Sequence, residues 1–167
     1  MIHIYTGNGK GKTTAALGLA LRASGAGLKV YIGQFIKGRN YSELETLKKL
    51  KNITVEQFGR GCFITGKPDK KDIEIAQKGL EKIKKIIAER SYDVVILDEI
   101  NIAVKLKLLA QREVISIMKK VSPRCELILT GRYAHPDFFK FAHLVSEIRE
   151  GKHYYRQGQK ARKGIEY

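Results

Sequence analysis

The sequence predicts an α/β fold in which a mostly parallel sheet is covered by helices on both faces. Short β-rich runs alternate with amphipathic stretches, as expected for strands joined by right-handed crossover helices. Two runs, KVYIGQFI and VVIL, are almost continuously apolar, as in parallel strands buried on both faces. The length of 167 residues suits one domain with its own core. We expect a single domain over residues 1–167, with an extended C-terminal tail at residues 150–167.

The first half of the chain contains three predicted strands and two predicted helices. The strands are expected at Ile2 to Tyr5, Lys29 to Ile36 and Ile53 to Phe58. A helix follows the glycine-rich turn after the first strand and ends at Gly25 and Gly27. Residues 37–40 form the predicted turn after the second strand. Ser42 and Glu45 have the spacing of a capping box, which predicts a short helix over SELETLKKL.

The second half begins with a predicted long exposed loop, GRGCFITGKPDKK, because three glycines and a proline disfavour a regular element. A helix from Asp72 to about Arg90 follows, with apolar residues at three- and four-residue spacing. Three further strands are expected at Val94 to Leu97, Glu126 to Thr130 and Leu144 to Ile148. The helix QREVISIMKK lies between the first two of these strands.

The composition excludes several classes of protein. Hydrophobic residues make up 43% of the chain, which is too many for a disordered protein. No apolar run reaches the roughly 18 residues of a membrane span, and no signal peptide precedes the first strand. We therefore expect a cytoplasmic protein with no membrane partner. Cys62 and Cys125 lack a C-x-x-C partner, so neither a disulfide framework nor a zinc site is expected.

The net charge of +15 leaves two interpretations open. Such an excess of lysine and arginine suits a polyanionic partner, either nucleic acid or a phosphate-rich ligand. Lysine and glutamate also crowd the predicted helices, which is common where solubility or heat resistance is selected. The charge alone does not choose between these interpretations.

A glycine- and lysine-rich turn between the first strand and the first helix is typical of a phosphate-binding loop. Glycines let consecutive backbone N–H groups point at a phosphate, and the helix N-terminus adds partial positive charge. The turn departs from G-x-x-x-x-G-K-[ST] at one position, where Thr6 replaces the opening glycine. A turn with incidental lysines is the alternative interpretation. The expected nucleotide-binding residues are Thr6, Gly7, Asn8, Gly9, Lys10, Gly11, Lys12, Thr13 and Thr14.

Charged residues follow two other buried strands. Asp98 and Glu99 end the strand VVIL, as in a Walker B element, and their oxygens suit Mg²⁺ together with the Thr13 hydroxyl. Arg132 follows the fifth strand, where it would neutralise phosphate charge; the alternative is a surface arginine. Because the carboxyl ends of parallel strands meet at one edge, we expect these turns to share one crevice with the loop.

Several segments together resemble one enzyme family. GNGKGKTTAA, VVILDE, TGR followed by HPD, VSEIR and the closing KHYYRQGQKARKGIEY are similar to the ATP:corrinoid adenosyltransferases of the CobA/BtuR/CobO type. The resemblance covers nearly the whole chain. The loop and the acidic strand fit many P-loop proteins, whereas TGR, VSEIR and G-x-x-A-x-x-G-I-E-Y in that order are far more specific.

The resemblance implies a homodimeric, RecA-like P-loop enzyme that transfers the 5′-deoxyadenosyl group of ATP to a reduced corrinoid and releases triphosphate. It implies Mg²⁺ or Mn²⁺ at Thr13, Asp98 and Glu99, and a flavoprotein or other reductase that supplies Co(I). Lys12 and Arg132 are the expected catalytic residues, because Co(I) needs no side-chain base and the departing triphosphate must be stabilised. The family binds ATP in the reverse of the usual direction, which is compatible with Thr6.

The resemblance also points to a corrinoid-binding loop that differs from the family pattern. GRGCFIT stands where the family has a G-F-T-W loop with aromatic side chains near the corrin. The chain has no tryptophan, so Phe63 is the candidate contact, shifted by one position.

Two other functions are alternatives to adenosyl transfer. A RecA-like, nucleic-acid-stimulated ATPase would share the loop and the positive charge, and a non-enzymatic module could sense ATP or corrinoid with the same site. The resemblance favours the adenosyltransferase, with ATP and corrinoid rather than nucleic acid as partners.

Overall fold

Six parallel strands form one sheet in the order β3-β2-β4-β5-β1-β6. This computed structural model describes residues 1–61, 64 and 66–167. The strands are β1 Ile2–Thr6, β2 Val30–Lys37, β3 Ile53–Gly61, β4 Val94–Asp98, β5 Glu126–Thr130 and β6 Leu144–Glu147. The predicted α/β class with a mostly parallel sheet is confirmed, and β5 lies between β1 and β4.

Helices cover both faces of the sheet and bury two apolar clusters against it. They are α1 Lys12–Gly25, α2 Ser42–Leu47, α3 Lys70–Glu89, α4 Ile100–Lys105, α5 Gln111–Lys120 and α6 Pro136–Phe139, and a 3-10 helix covers Tyr154–Gln157. One cluster contains the alanine face of α1 with Val30 and Ile32 of β2. The other contains Tyr31 and the apolar face of α3. Neighbouring strand residues thus alternate between the two layers.

No helix in the described part of the chain is both long enough and apolar enough to cross a membrane.

The helix α3 begins two residues before the predicted start because Asp69 caps it. The Asp69 carboxylate accepts a hydrogen bond from the backbone N–H of Asp72 at 2.9 Å, and Asp72 accepts one in return from the Asp69 N–H at 3.2 Å. This reciprocal pair satisfies two of the N–H groups that a helix leaves unpaired at its start. The helix ends at Glu89, and Arg90 follows in a left-handed conformation with φ 53°.

Three local predictions from the sequence were wrong. The Ser42 side chain does not cap α2: Tyr41 is the N-cap, and the Ser42 hydroxyl donates instead to the Tyr167 carbonyl oxygen at 2.9 Å. The predicted loop at residues 59–71 is shorter than expected, because β3 continues to Gly61 through its pairing with Lys37 and α3 already includes Lys70. Lys37 therefore ends a strand and does not begin a turn.

The tail at residues 150–167 folds back on the loop after β1, so the prediction of an extended tail was wrong. The ammonium group of Lys10 explains this, since it has three acceptors in the tail: the Tyr154 hydroxyl at 2.6 Å, the Glu166 carboxylate at 2.8 Å and the Ile165 carbonyl oxygen at 3.0 Å. Tyr154 also donates to Glu166. An extended tail could not bring these three acceptors to one cation.

Candidate nucleotide-binding and active site

The loop between β1 and α1 has the backbone shape that its glycines predicted. Gly7 and Gly11 have φ values of 99° and 118°, which residues with a side chain rarely adopt. A Cβ on Gly7 would lie 2.9 Å from the Ile148 nitrogen, and one on Gly9 would lie 2.7 Å from the Arg149 oxygen. The Gly9 N–H also donates to the Ile148 oxygen at 2.7 Å. The backbone of the segment VSEIR therefore packs against this loop and leaves no room for a side chain at positions 7 and 9.

The start of α1 offers unpaired N–H groups beside this loop. The first helical hydrogen bond runs from the Ala15 N–H to the Gly11 oxygen at 2.8 Å, so the N–H groups of Lys12, Thr13 and Thr14 precede it. Together with the helix dipole, these N–H groups favour an anion at this point.

Lys12 is buried at the start of α1. It is 7% exposed, and its ammonium group donates to the Gly9 oxygen at 2.6 Å. Burial lowers the pKa of Lys12; the negative charge of Glu99 acts against this, and Arg132 lowers the pKa further. A desolvated cation with one carbonyl partner is a strong point of attraction for phosphate oxygens.

Asp98 is the centre of a buried hydrogen-bond network at the end of β4. One carboxylate oxygen accepts from the Thr130 hydroxyl at 2.6 Å and from the Thr13 hydroxyl at 2.9 Å. The other accepts from the Lys37 ammonium at 2.7 Å and from the Gln34 amide at 3.3 Å. Four side chains from three elements, α1, β2 and β5, thus hold this carboxylate, which is only 1% exposed.

Glu99 lies beside this network in a strained turn. It has a left-handed φ of 60°, and its N–H donates to the Thr130 hydroxyl at 3.0 Å. Its carboxylate faces Gly131, where an added Cβ would lie 3.2 Å from Glu99 Oε2. Burial and then the charge of Asp98 raise the pKa of Glu99, while Lys37, Lys12 and Arg132 act in the opposite direction.

Arg132 follows Gly131 in a turn that Asn101 fixes. The Asn101 amide donates to the Gly131 oxygen at 3.1 Å, and Gly131 has a φ of 124°. Arg132 is exposed and makes no hydrogen bond or ion pair with any residue that the structure describes, yet its charge influences the pKa of Lys12 and Glu99. Its side chain is therefore close to the loop and available to an incoming anion.

The other predicted loop residues have different surroundings. Thr6 is buried, and its hydroxyl accepts a hydrogen bond from the Ala134 N–H at 3.4 Å, which ties β1 to the turn after β5. Asn8 and Thr14 are exposed. Lys10 points to the tail and not into the loop. The candidate corrinoid contact Phe63 lies outside the described residues.

Sequence reasoning missed Lys37 and Gln34. We had placed Lys37 in a turn and Gln34 inside an apolar strand, yet both contact Asp98. The signal was available for Lys37: a lysine that closes a buried parallel strand lies at the same edge of the sheet as the acidic strand end. Burial lowers the pKa of Lys37, but its attraction to Asp98 and its hydrogen bond with it outweigh burial, so the net pKa is raised.

The donor set at Thr13 and Asp98 fits Mg²⁺ or Mn²⁺. The Thr13 hydroxyl gives its proton to Asp98, so its lone pairs can face a cation, and a carboxylate oxygen is within reach. No group of three or more histidine, cysteine, aspartate or glutamate side chains in the described ranges could hold a metal ion by itself. This suits a P-loop site, where Mg²⁺ takes one or two protein ligands and completes its shell with phosphates and water.

The fold and this site define a P-loop nucleotide-binding protein. A KaiC-like protein of Pyrococcus horikoshii OT3 shares the fold with a TM-score of 0.55 and 17% identity, covering 90% of this chain and 72% of that chain. At this level of identity the likeness shows the fold alone, and it agrees with the predicted α/β class.

Sequence comparisons identify the family within this class. The model of the family described as ATP:corrinoid adenosyltransferase BtuR/CobO/CobP matches residues 1–167. A corrinoid adenosyltransferase of Escherichia coli K12 is 35% identical over 167 residues, covering 100% of this chain and 85% of that protein. One of a Sinorhizobium species is 34% identical over 171 residues, covering 100% of this chain and 80% of that protein. The corrinoid adenosyltransferase CobA of Salmonella typhimurium LT2 is 35% identical over 167 residues, with coverages of 100% and 85%.

The chain therefore belongs to the ATP:corrinoid adenosyltransferase family. The resemblance drawn from the sequence motifs is confirmed. The protein is an enzyme whose substrates are ATP and a corrinoid, and the alternative of a nucleic-acid-stimulated ATPase gains no support from these comparisons.

Proposed function

We propose that the loop between β1 and α1 binds the triphosphate of ATP as a leaving group while a reduced corrinoid attacks the nucleotide. The observation that carries this proposal is the buried Lys12 ammonium, held against the Gly9 oxygen beside the free N–H groups of α1. Phosphate oxygens can replace Gly9 as its partner. The site then stabilises negative charge with groups already oriented before reaction.

The reaction needs alignment and charge stabilisation, and no side-chain base. The electron pair of Co(I) forms the bond to the C5′ carbon of the ribose, and the C5′–oxygen bond breaks. The triphosphate leaves with the electron pair of the broken C5′–oxygen bond and carries about four negative charges, which Lys12, Arg132 and the N–H groups of α1 stabilise. The Thr6 hydroxyl accepts a hydrogen bond from the Ala134 N–H and so anchors the turn that presents Arg132. The reversed ATP direction that the family resemblance implies is compatible with a threonine at position 6.

In this proposal Thr13 and Asp98 hold the divalent cation, and Glu99 stands beside them. Mg²⁺ or Mn²⁺ would supply further positive charge to the departing triphosphate. The distance of 2.9 Å between the Thr13 hydroxyl oxygen and a carboxylate oxygen of Asp98 supports this assignment. Glu99 has no such short contact with Thr13, so we assign it a position next to the metal's water shell.

The corrinoid would approach from the β3 side of the same edge. A cleft of about 310 Å³ lies there between the end of β2 and the start of α3, with Ile36, Phe58 and Leu108 among its lining residues. Gly61 and Ile64 also line it and flank Phe63 in the sequence. This arrangement supports Phe63 as the aromatic contact to the corrin.

On the basis of the family resemblance, the protein is proposed to form a homodimer in the cytoplasm. A flavoprotein or other Co(II) reductase would supply the Co(I) corrinoid. Light scattering of the purified protein tests the dimer directly. A mass near twice the 18.9 kDa of the chain is expected, and a mass of one chain at micromolar concentration would contradict it.

Binding of inorganic triphosphate tests the leaving-group cradle without any corrinoid. We expect titration calorimetry with Mg²⁺ and triphosphate to show one site per chain, and Lys12→Met to weaken it by about tenfold or more. Lys78→Met, at an exposed position on α3, is the matched control and is expected to bind like the wild type. Equal binding by the wild type and Lys12→Met would show that triphosphate does not use this loop.

A further inference from the structure

A lysine ammonium lies against the two side chains that the proposed function assigns to the metal. The Lys37 ammonium is 2.7 Å from the second carboxylate oxygen of Asp98 and 3.5 Å from the Thr13 hydroxyl oxygen. Because Thr13 gives its proton to Asp98, the lone pairs of its oxygen face Lys37. A divalent cation bound by Thr13 and Asp98 would need the same lone pairs.

The backbone is distorted in a way that places Lys37 there. Ile36 has a φ of 68°, which is rare for a β-branched residue, and the β2–β3 register shifts between Phe35 and Lys37. Regular alternation would put Ile36 on the face of Gln34 and Lys37 on the opposite face. Instead, Ile36 joins Phe35 in the α3-side core, and Lys37 shares the face of Gln34.

Glycine at position 59 makes this bulge possible. A Cβ on Gly59 would lie 2.7 Å from the Ile36 Cα, so a side chain there would clash with the bulged backbone. Backbone strain of this kind persists only where the surrounding structure holds it, and it is often found at functional sites. The strain here has one evident structural result, which is the direction of the Lys37 side chain.

We propose that the Lys37 ammonium occupies the cation position between Thr13 and Asp98 in the empty enzyme and is displaced when a divalent cation binds with the triphosphate. This inference rests on the proposed metal site at Thr13 and Asp98. In the absence of ligand, Lys37 neutralises Asp98, whose carboxylate is almost completely buried. A divalent cation arriving alone must compete with this internal cation.

Triphosphate changes the balance, because it gives Lys37 a second partner. The Lys37 side chain is 13% exposed and ends the strand at the edge where the loop lies, so its ammonium can move to a phosphate oxygen as the metal takes its place. Lys37 thereby makes metal binding and triphosphate binding depend on each other. The metal is retained with the nucleotide and released with the product.

Titration of Mn²⁺ into the nucleotide-free protein, followed by electron paramagnetic resonance, tests the inference without any turnover. Lys37→Met and Lys37→Gln remove the competing charge, so we expect each to bind Mn²⁺ about tenfold or more tightly than the wild type. Lys37→Arg keeps the charge and is expected to bind Mn²⁺ as weakly as the wild type. Circular dichroism identifies any variant that fails to fold, and two neutral variants guard against such a loss.

A second measurement examines the coupling between ligands. In the wild type, inorganic triphosphate should strengthen Mn²⁺ binding more than it does in Lys37→Met, because only the wild type must move a lysine. If both neutral variants fold and bind Mn²⁺ no more tightly than the wild type, Lys37 does not hold the cation position and the inference is wrong. Absence of adenosyl transfer by the wild type would instead contradict the proposed function, while the Mn²⁺ comparison would still report on Lys37.

Discussion

Lys12 and Asp98 show how single buried charges prepare this site. Each is almost completely buried, and each has partners that hold its orientation before a ligand arrives. Among the residues that the structure describes, Lys12 has a single acceptor, the Gly9 oxygen, whereas Asp98 has four donors. The difference suits their proposed tasks, since Lys12 must exchange its partner for phosphate and Asp98 must stay in place beside the metal.

Lys12→Met is expected to lower adenosyl transfer by about 10²–10³-fold, which is typical for the loss of one group that stabilises developing negative charge. Methionine preserves the apolar stem in the buried position, so the thermal unfolding midpoint should change little. The measurement is the rate of triphosphate release with saturating ATP and chemically reduced corrinoid. Lys78→Met should keep the wild-type rate, and an unchanged rate in Lys12→Met would rule out its proposed role.

Cys125 gives a prediction at alkaline pH. Burial raises the pKa of its thiol from 9.0 to about 11, so the folded state favours the protonated form. The contribution of the protonated thiol to the free energy of unfolding is complete below pH 9 and is lost as the pH rises through about 11. We expect the wild type to lose more unfolding free energy over this range than Cys125→Ala, in urea titrations at each pH. Parallel pH profiles for the two proteins would be inconsistent with a buried thiol.

At the scale of elements, the loop after β1 depends on its neighbour β6 and on the tail. The segment after β6 contacts the glycines through Ile148, and the tail accepts hydrogen bonds from Lys10. The motifs VSEIR and GIEY, which carry the family resemblance, thus contact the loop after β1 in the folded chain. This explains physically why such distant segments belong to one sequence signature.

The packing of α3 on β2 and β3 predicts an unusual response to alanine. A Cβ on Gly79 would lie 2.6 Å from Cδ2 of Phe58, whereas one on Gly18 of α1 would meet nothing within 4 Å. Gly79→Ala is therefore expected to lower the unfolding free energy by about 1–3 kcal/mol. Gly18→Ala should raise it by about 0.5–1 kcal/mol, as alanine usually does in an open helix position. Urea unfolding measures both, and a stabilising Gly79→Ala would contradict the described packing.

The contact between the tail and Lys10 predicts protection from trypsin. Hydrogen bonds from Lys10 and then Tyr154 lower the pKa of Glu166 from 4.5 to about 2. The ion pair therefore stabilises the closed tail fully above pH 4.5, and this stabilisation is lost as the pH falls through about 2. Glu166→Gln should speed cleavage after Arg162 and Lys163 a few-fold at neutral pH, because the tail opens more often. Glu81→Gln, which alters an exposed pair on α3, is the control. Equal cleavage rates in the two variants would exclude a closed tail.

The sequence predicted most elements because their patterns are local. The apolar runs of β2 and β4 and the periodicity of α3 identify them without reference to the rest of the chain. The direction of Lys37 could not be predicted, since it depends on a bulge that forms only when Gly59 of β3 pairs beside Ile36. The folded tail depends in the same way on Lys10, which is more than 140 residues away from Tyr154.

At the scale of the whole molecule, the strand order brings the charged residues to one edge. The order places β5 between β1 and β4, so Thr130 can bridge Asp98 and the backbone of Glu99. Lys12, Lys37 and Arg132 reach the same region from three different strand ends. Part of the net charge of +15 therefore surrounds the proposed triphosphate site, where a departing anion needs it.

The products of one reaction test the central claim most directly. The protein would be incubated without oxygen with ATP and a chemically reduced corrinoid, and phosphates and corrinoids would be separated by chromatography. Our account predicts one inorganic triphosphate for each corrinoid that gains a carbon–cobalt bond, with both products formed about 10²–10³-fold more slowly by Lys12→Met. Formation of ADP and orthophosphate without triphosphate or adenosylated corrinoid would contradict it.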